Sequence, residues 1–223
     1  MLLLNIDTAI EKGSFCISDG LDILVFDKND RQKEQASWLH EAIRAGFDKI
    51  GADMRDLDAV AVSSGPGSYT GLRIGMATAK GFCYALTKPL ICLSTLEVMA
   101  RAVHENAKDL ICPMIDARRM EVFSAIFTKK LETYKDPFAA TLDSGSFAET
   151  LAKHQILFTG NGSLKFEQLM EVSPAAQFIR KDIDARDMIY LSLKNFKEKT
   201  FADVAYSEPY YVKDVYIANR NTA

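Results

Sequence analysis

The sequence predicts an α/β protein in which one structural plan is used twice. Two observations carry that expectation. LLLNIDTA (Leu2–Ala9) opens the first half and LICPMIDAR (Leu110–Arg118) opens the second, each an apolar strand that ends in Ile-Asp at a turn. Behind each opening the same order of periodicities follows, with alternating or wholly apolar short runs giving way to helical spacing.

Taken in order, Leu2–Ile6 reads as a buried strand and Thr8–Gly13 as the turn after it. Ser14–Ser18 and Ile23–Phe26 pair as a hairpin around Asp19-Gly20, a dipeptide suited to tight left-handed turns. Gln35–Lys49 is an amphipathic helix with Trp38, Leu39, Ala42, Ile43 and Phe47 on its apolar side. Ala59–Ser63 is a strand, Gly71–Leu86 a helix, Leu90–Leu93 a strand and Thr95–Asn106 a helix. The second half gives strands at Leu110–Ile115 and Glu121–Thr128 and a third within Tyr134–Ala140. A helix at Phe147–Lys153, a strand at Ile156–Thr159, a helix at Leu164–Met170, a strand at Ala176–Ile179 and a helix at Ala185–Lys197 complete it. Pro209 then precedes the tail YYVKDVYIANR. Two lobes of βββαβα are the layout of the actin, hexokinase and Hsp70 ATPase group, a duplicated ribonuclease H-like fold. The expected division is 1–106 for the first lobe and 107–223 for the second, with the tail from about 205 returning to the first lobe.

Composition narrows the class of function. The 223 residues are 48% hydrophobic and 26% charged, ordinary for a globular protein, and the net charge of −3 gives no electrostatic footprint for nucleic acid. Cys16, Cys83, Cys92 and Cys112 sit singly in apolar stretches, without CxxC spacing, and read as buried reduced thiols. The amino terminus has no basic n-region, its apolar run is broken by Asn5 and Asp7, and no stretch approaches the length of a membrane span. A soluble cytoplasmic protein is expected.

The most informative stretch is SSGPGSYTGLRIGMATAKGF (Ser63–Phe82). Loops rich in glycine before a helix often cradle phosphate, because backbone N–H groups and the helix N-terminus favour an anion. Here Gly71 is followed by Leu72 and Arg73, so the P-loop spacing fails. Gly65, Gly67 and Gly71 give GxGxxxG rather than the dinucleotide fingerprint, Pro66 removes one donor, and no GxSxG surrounds Ser68. Within the helix, Gly71, Gly75, Ala79 and Cys83 form one stripe of small side chains at every fourth position. A mid-helix glycine costs about 1 kcal/mol relative to alanine, so something must approach Gly75 closely. Two readings stand at this point: the helix packs on its own sheet, or a helix of another subunit docks on the stripe.

GPGSYTGLRIGMATAKG, with LNIDTA, PLICLSTLEVMA and PMIDARRMEVF, resembles the TsaB (YeaZ) family, bacterial partner proteins for making threonylcarbamoyladenosine in tRNA. The resemblance covers the chain from Met1 to Phe127; from Lys129 onward only FTGNGS and EPYYVKD are similar to the family. It implies the duplicated actin-like fold and a degenerate paralogue of TsaD, the metal-bearing catalytic subunit, paired with it through the helices Gln35–Lys49 and Gly71–Leu86. The expected partner interface is Gly71, Gly75, Met76, Ala79, Cys83, Trp38 and His40, its edge shaped by Gly65, Gly67, Ser68, Thr70 and Arg73. A TsaE-like ATPase would bind the assembled pair, tRNA would be met only through the complex, and a homodimer is expected in isolation.

The chain carries little catalytic equipment of its own. His40, His104 and His154 include no HExxH and no pair at ligand spacing, so neither a peptidase nor a metal site is expected. Working actin-like ATPases place glycine after the strand-end aspartates. Asp7 is followed instead by Thr-Ala-Ile-Glu-Lys and Asp116 by Ala-Arg-Arg-Met-Glu, bulky side chains with an added acid in each loop. Asp7, Thr8, Asp116, Gly160 and Gly162 are therefore read as remnants of a nucleotide site, with Asp7 capping its own turn and Asp116 pairing with Arg118 or Arg119. FTGNGS (Phe158–Ser163) is similar to the adenosine-contacting turn of actin-like ATPases, which leaves weak or partner-assisted ATP or ADP binding open. No cofactor is required by the chain and no catalytic residue is assigned. The alternative function is an actin-like ATPase or small-molecule kinase acting alone; a self-contained homodimer with a regulatory role is a third. Arg180, Lys181, Lys194 and Lys197 are the candidate RNA contacts in the second half.

Overall fold

The computed structural model describes residues 1–10, 12–29 and 35–213. Glu11 in the first turn and the tail beyond Lys213 lie outside the described residues.

Each half builds a five-stranded mixed sheet, and the two sheets share one strand order. In the first, β1 (Leu2–Asp7) pairs antiparallel with β2 (Gly13–Asp19) and parallel with β4 (Ala59–Gly65). β3 (Asp22–Asn29) and β5 (Leu90–Ser94) form the edges, giving β3-β2-β1-β4-β5. In the second, β6 (Leu110–Asp116) takes the place of β1. It pairs antiparallel with β7 (Glu121–Thr128) and parallel with β9 (Ile156–Thr159). The edges are β8 (Thr133–Thr141) and β10 (Ala176–Ile179). The repeated order is the duplicated plan read from the two Ile-Asp strands.

Strand alternation sorts β1 into two faces. Leu4 and Ile6 pack outward with Ile43, Phe47, Met76 and Ala79 of α1 (Gln35–Ile50) and α2 (Tyr69–Leu86). Leu3 packs inward, in a core that also holds Ile111 and Leu157 of the second sheet. The middle layer is made by α3 (Thr95–Val103) and α6 (Ile189–Lys197). α3 contacts β6 and β7 of the second sheet, whereas α6 contacts β1 and β5 of the first. Each half therefore lends its last helix to the common core, and a cut at 106/107 would separate the sheets but not the packing. A third cluster around Phe158 and Phe166 joins the second sheet to α5 (Ser163–Leu169), beside the single helical turn α4 (Ala148–Leu151).

Strand positions match the sequence reading closely; helix ends depart from it. The Thr95–Asn106 helix stops at Val103 and tightens to 3-10 geometry over His104–Asn106. The Ala185–Lys197 helix begins as a 3-10 turn because the Asp184 carboxylate accepts from Arg186 N–H and the Asp187 carboxylate from Asp184 N–H, closing a capping box. Phe147–Lys153 retains helical geometry only over Ala148–Leu151. The 3-10 turn at Met54–Asp56 carried no periodic signal in the sequence.

The small-residue stripe of α2 faces its own lobe. Gly71, Gly75, Met76, Ala79 and Cys83 are all buried. A Cβ at Gly71 would overlap the Thr8 carbonyl oxygen, and one at Gly75 would overlap Thr8 Oγ1 and sit 3.3 Å from Val62 Cγ2. The expectation that these five residues present an interface is corrected: the close approach that the glycines permit is that of the β1–β2 turn and β4.

Gly75→Ala should lower stability by about 1–3 kcal/mol through overpacking, despite its gain in helix propensity. Gly81→Ala, in the same helix but with nothing within 4 Å of an added Cβ, should raise it by about 0.5–1 kcal/mol. Urea titration of both variants checks the pair; a Gly75→Ala protein as stable as the parent would contradict the packing.

Candidate functional site

A cleft between the lobes borders the β1–β2 turn, and a groove lies between α1 and α2 on the outer face. The cleft encloses about 560 Å3, with Ala9, Gly67 and Thr70 on the first-lobe side and Asp116, Arg118 and Asn161 on the second.

On the first-lobe side the turn is closed on itself. Asp7 ends β1 and is 2% exposed. Its Oδ1 accepts from Ser63 Oγ at 2.6 Å and from Ala9 N–H at 3.0 Å, the turn cap expected of it. Burial pushes its carboxyl pKa up; the two hydrogen bonds pull it back, and Asp184 and Asp187 push it further. Thr8 Oγ1 donates to Gly71 carbonyl at 2.7 Å, and Ser68 N–H donates to Ala9 carbonyl at 2.6 Å. Ser68 Oγ in turn accepts from Gly71 N–H at 3.3 Å and caps α2. Gly67 lies so close to the Ala9 carbonyl that a Cβ would overlap it. The Ser68 and Gly71 donors beneath the turn are engaged within the protein, and the side chain of Thr8 fills the space under it.

The second-lobe side is more open and carries charge. Asp116 pairs with Lys165 Nζ at 2.5 Å and accepts from Arg118 backbone N–H at 2.6 Å. The partner is thus Lys165, and the expected side-chain pair with Arg118 or Arg119 is corrected. Arg118, Arg119 and Met120 have φ of 68°, 43° and 60°, a left-handed run that carries the chain into β7. Partial burial opposes ionisation of Asp116, but Lys165 and the Arg118 N–H outweigh it and hold the carboxyl below its usual range. Asn161 Oδ1 accepts from Asp116 N–H at 2.9 Å. Gly160 has φ of 90° and packs against Met99 and the Met114 carbonyl, while a Cβ at Gly162 would stand 2.9 Å from Val122 Cγ1. Packing against β6 and its neighbours already requires both glycines. Among the described residues, no three His, Cys, Asp or Glu side chains come together as metal ligands.

The groove lies on the outer face and encloses about 470 Å3. His40 is exposed, with Nε2 3.4 Å from Thr78 Oγ1, whereas Trp38 is half-buried against Phe15, ring centroids 6.1 Å apart. Thr70 and Arg73 are exposed along it, and the Arg73 guanidinium lies 4.0 Å from the Tyr69 ring centroid. Tyr69, Ile74 and Ala77 line it as well and were missed. Tyr69, Arg73 and Ala77 stand at every fourth position, offset by two from the glycine stripe, so a helical projection of α2 could have found them. Elsewhere, Arg180 pairs with Glu167 and Lys181 with Asp187, each at 3.2 Å. Cys16, Cys83 and Cys112 are buried, which pushes each thiol up to about 12, and Cys92 is half-buried.

A family model described as TsaD: tRNA N6-adenosine threonylcarbamoyltransferase matches residues 29–222. The tRNA threonylcarbamoyladenosine biosynthesis protein TsaB of Escherichia coli (strain K12) is 27% identical over 230 aligned residues, spanning 96% of this chain and 95% of that protein. The protein of the same description from Bacillus subtilis (strain 168) is 41% identical over 76 residues, spanning 34% of this chain and 33% of its relative. Among solved structures, an uncharacterized Pseudomonas aeruginosa protein described as similar to peptidase YEAZ superimposes with a TM-score of 0.83 at 21% identity, over 95% of this chain and 99% of that one. YeaZ from Pseudomonas aeruginosa superimposes with a TM-score of 0.76 at 21% identity, over 94% and 99%. These structures share the fold, which is the duplicated actin-like one. No helix among the described residues is long and apolar enough to cross a membrane.

The buried aspartate makes a signed prediction. With its folded pKa raised above the ordinary 3.8, the stability contributed by Asp7 is full below that value and is lost as pH rises through the folded one. Asp7→Asn should flatten this part of the pH–stability curve and leave the variant more stable than the parent at alkaline pH. Thermal unfolding of both proteins across the range tests it, and parallel curves would contradict it.

Proposed function

The chain belongs to the TsaB/YeaZ family, and on that premise we propose that it is the non-catalytic partner of a TsaD-like subunit in bacterial synthesis of threonylcarbamoyladenosine in tRNA. The observation that carries this reading is the closed first-lobe turn. Where an actin-like ATPase would receive phosphate, Thr8 and Ala9 are hydrogen-bonded onto α2. The same contact turns the glycine stripe inward and leaves Tyr69, Arg73 and Ala77 facing the groove between α1 and α2.

The docking face is that groove. Tyrosine and arginine are enriched among residues that dominate binding energy, and Tyr69 and Arg73 line the groove on α2, which carries no acidic residue. The TsaD-like subunit supplies the catalytic groups for transfer to the adenosine next to the anticodon. A TsaE-like ATPase acts on the assembled pair, tRNA is met through the complex, and the same face closes a homodimer when the chain is alone.

Mixing the protein with the TsaD-like subunit of its host should give a one-to-one complex by light scattering. Ala77→Arg, at an exposed groove position, should weaken it by roughly tenfold or more with an unchanged circular dichroism spectrum. Absence of a complex, with ATP hydrolysis by the chain alone, would overturn the reading.

A further inference from the structure

The chain beyond α6 turns back along the first lobe. Ala202 forms an antiparallel bridge with Leu90 of β5, its N–H donating to the Leu90 carbonyl at 2.8 Å. The Lys80 ammonium of α2 donates to the carbonyls of Ala205 and Ser207, both at 3.0 Å. Tyr210 N–H donates to the Ser64 carbonyl at 2.7 Å, and the Tyr210 carbonyl lies where a side chain on Gly65 would be, at a backbone φ of 121°. Lys213 then forms an ion pair with Glu121 at the start of β7, in the other lobe. Along this course the Tyr211 ring comes to lie 5.3 Å from that of Tyr69, at an interplanar angle of 38°.

We infer that residues 200–213 are a strap that pre-forms the α2 end of the docking groove, with Tyr211 as the positioning residue that fixes Tyr69 and Arg73. The inference rests on the reading of the groove as the face that meets the catalytic subunit. Tyr69 is the first residue of α2 and is 39% exposed, so it has no preceding helical turn to rest on. Left alone, it and Arg73 would lose rotamer freedom on docking, a cost that directly reduces affinity. The strap removes that cost beforehand. Tyr211 backs Tyr69, and Tyr69 lies under the Arg73 guanidinium. The strap is itself fixed through backbone groups at three points on the first lobe, which makes it a rigid support.

Titration calorimetry of the full chain against the TsaD-like subunit tests this, with the unfolding midpoint of every variant measured alongside. Tyr211→Leu keeps the bulk and loses the ring; it should weaken pairing roughly tenfold while the midpoint moves by no more than about 2 °C. Tyr211→Phe should restore affinity to within about threefold of the parent, because the ring contact is retained. If Tyr211→Leu lowers the midpoint further, Lys80→Met decides: it frees the Ala205 and Ser207 carbonyls, leaves Tyr211 in place, and should still weaken pairing. Parent-like affinity in Tyr211→Leu, or in Lys80→Met where that variant decides, overturns the strap. A parent chain that fails to pair at all overturns the functional reading instead.

Discussion

The seating of Thr8 and Ala9 on the start of α2 is the contact from which the rest of the first lobe follows. One side-chain hydrogen bond (Thr8 Oγ1 to Gly71) and one backbone hydrogen bond (Ser68 to Ala9) join the end of β1, the Gly65–Pro66–Gly67 turn and the helix N-terminus into a single unit. A buried polar turn of this kind is stable only when its donors and acceptors find partners. Asp7 meets that condition through Ser63 and Ala9. The rotation of α2 follows as well. With Gly71 and Gly75 held against the turn, Tyr69, Arg73 and Ala77 can only face outward.

Duplication has produced two halves that share a strand order and differ in how they end their first strand. The first lobe closes its Asp turn with small residues and internal hydrogen bonds. The second carries Asp116 into an exposed ion pair and crosses to β7 through three left-handed residues, none of them glycine. Such backbone is tolerated where its surroundings over-determine it, and here the Arg118 N–H to Asp116 bond and the Glu121 N–H to Arg118 carbonyl bond supply that restraint. The middle layer then ties the halves together. α3 and α6 each pack across to the opposite sheet, so opening the cleft as a hinge would expose the core that contains Leu3, Met99, Ile111 and Met188.

Much of this was legible in the sequence. The strands were, because apolar runs bounded by turn residues specify them locally, and the Ile-Asp endings exposed the duplication. The helical stripe at Gly71, Gly75, Ala79 and Cys83 was legible as a periodicity. Its direction was not, since spacing says that something approaches and not what. Lys165 as the partner of Asp116 depends on α5 folding beside β6 and has no local signature. The 3-10 turns at His104–Asn106 and Ala185–Met188 differ from α-helix by about 20° per residue, roughly a sixth of a turn over three residues, too little for short stretches to reveal. The contacts of the C-terminal segment were the least legible, because they use backbone groups, which sequence does not distinguish.

β5 is an edge of the first sheet, and an unpaired edge is a template for another strand. Ala202 covers it at Leu90, yet more than a hundred residues separate the two in the chain. During synthesis every strand of the first sheet emerges well before its cover does. The nascent first lobe therefore passes through a period with β5 open and the Gly65 turn without Tyr210 against it. The hazard of mispairing at this edge is greatest during synthesis and falls once Ala202 has paired with Leu90.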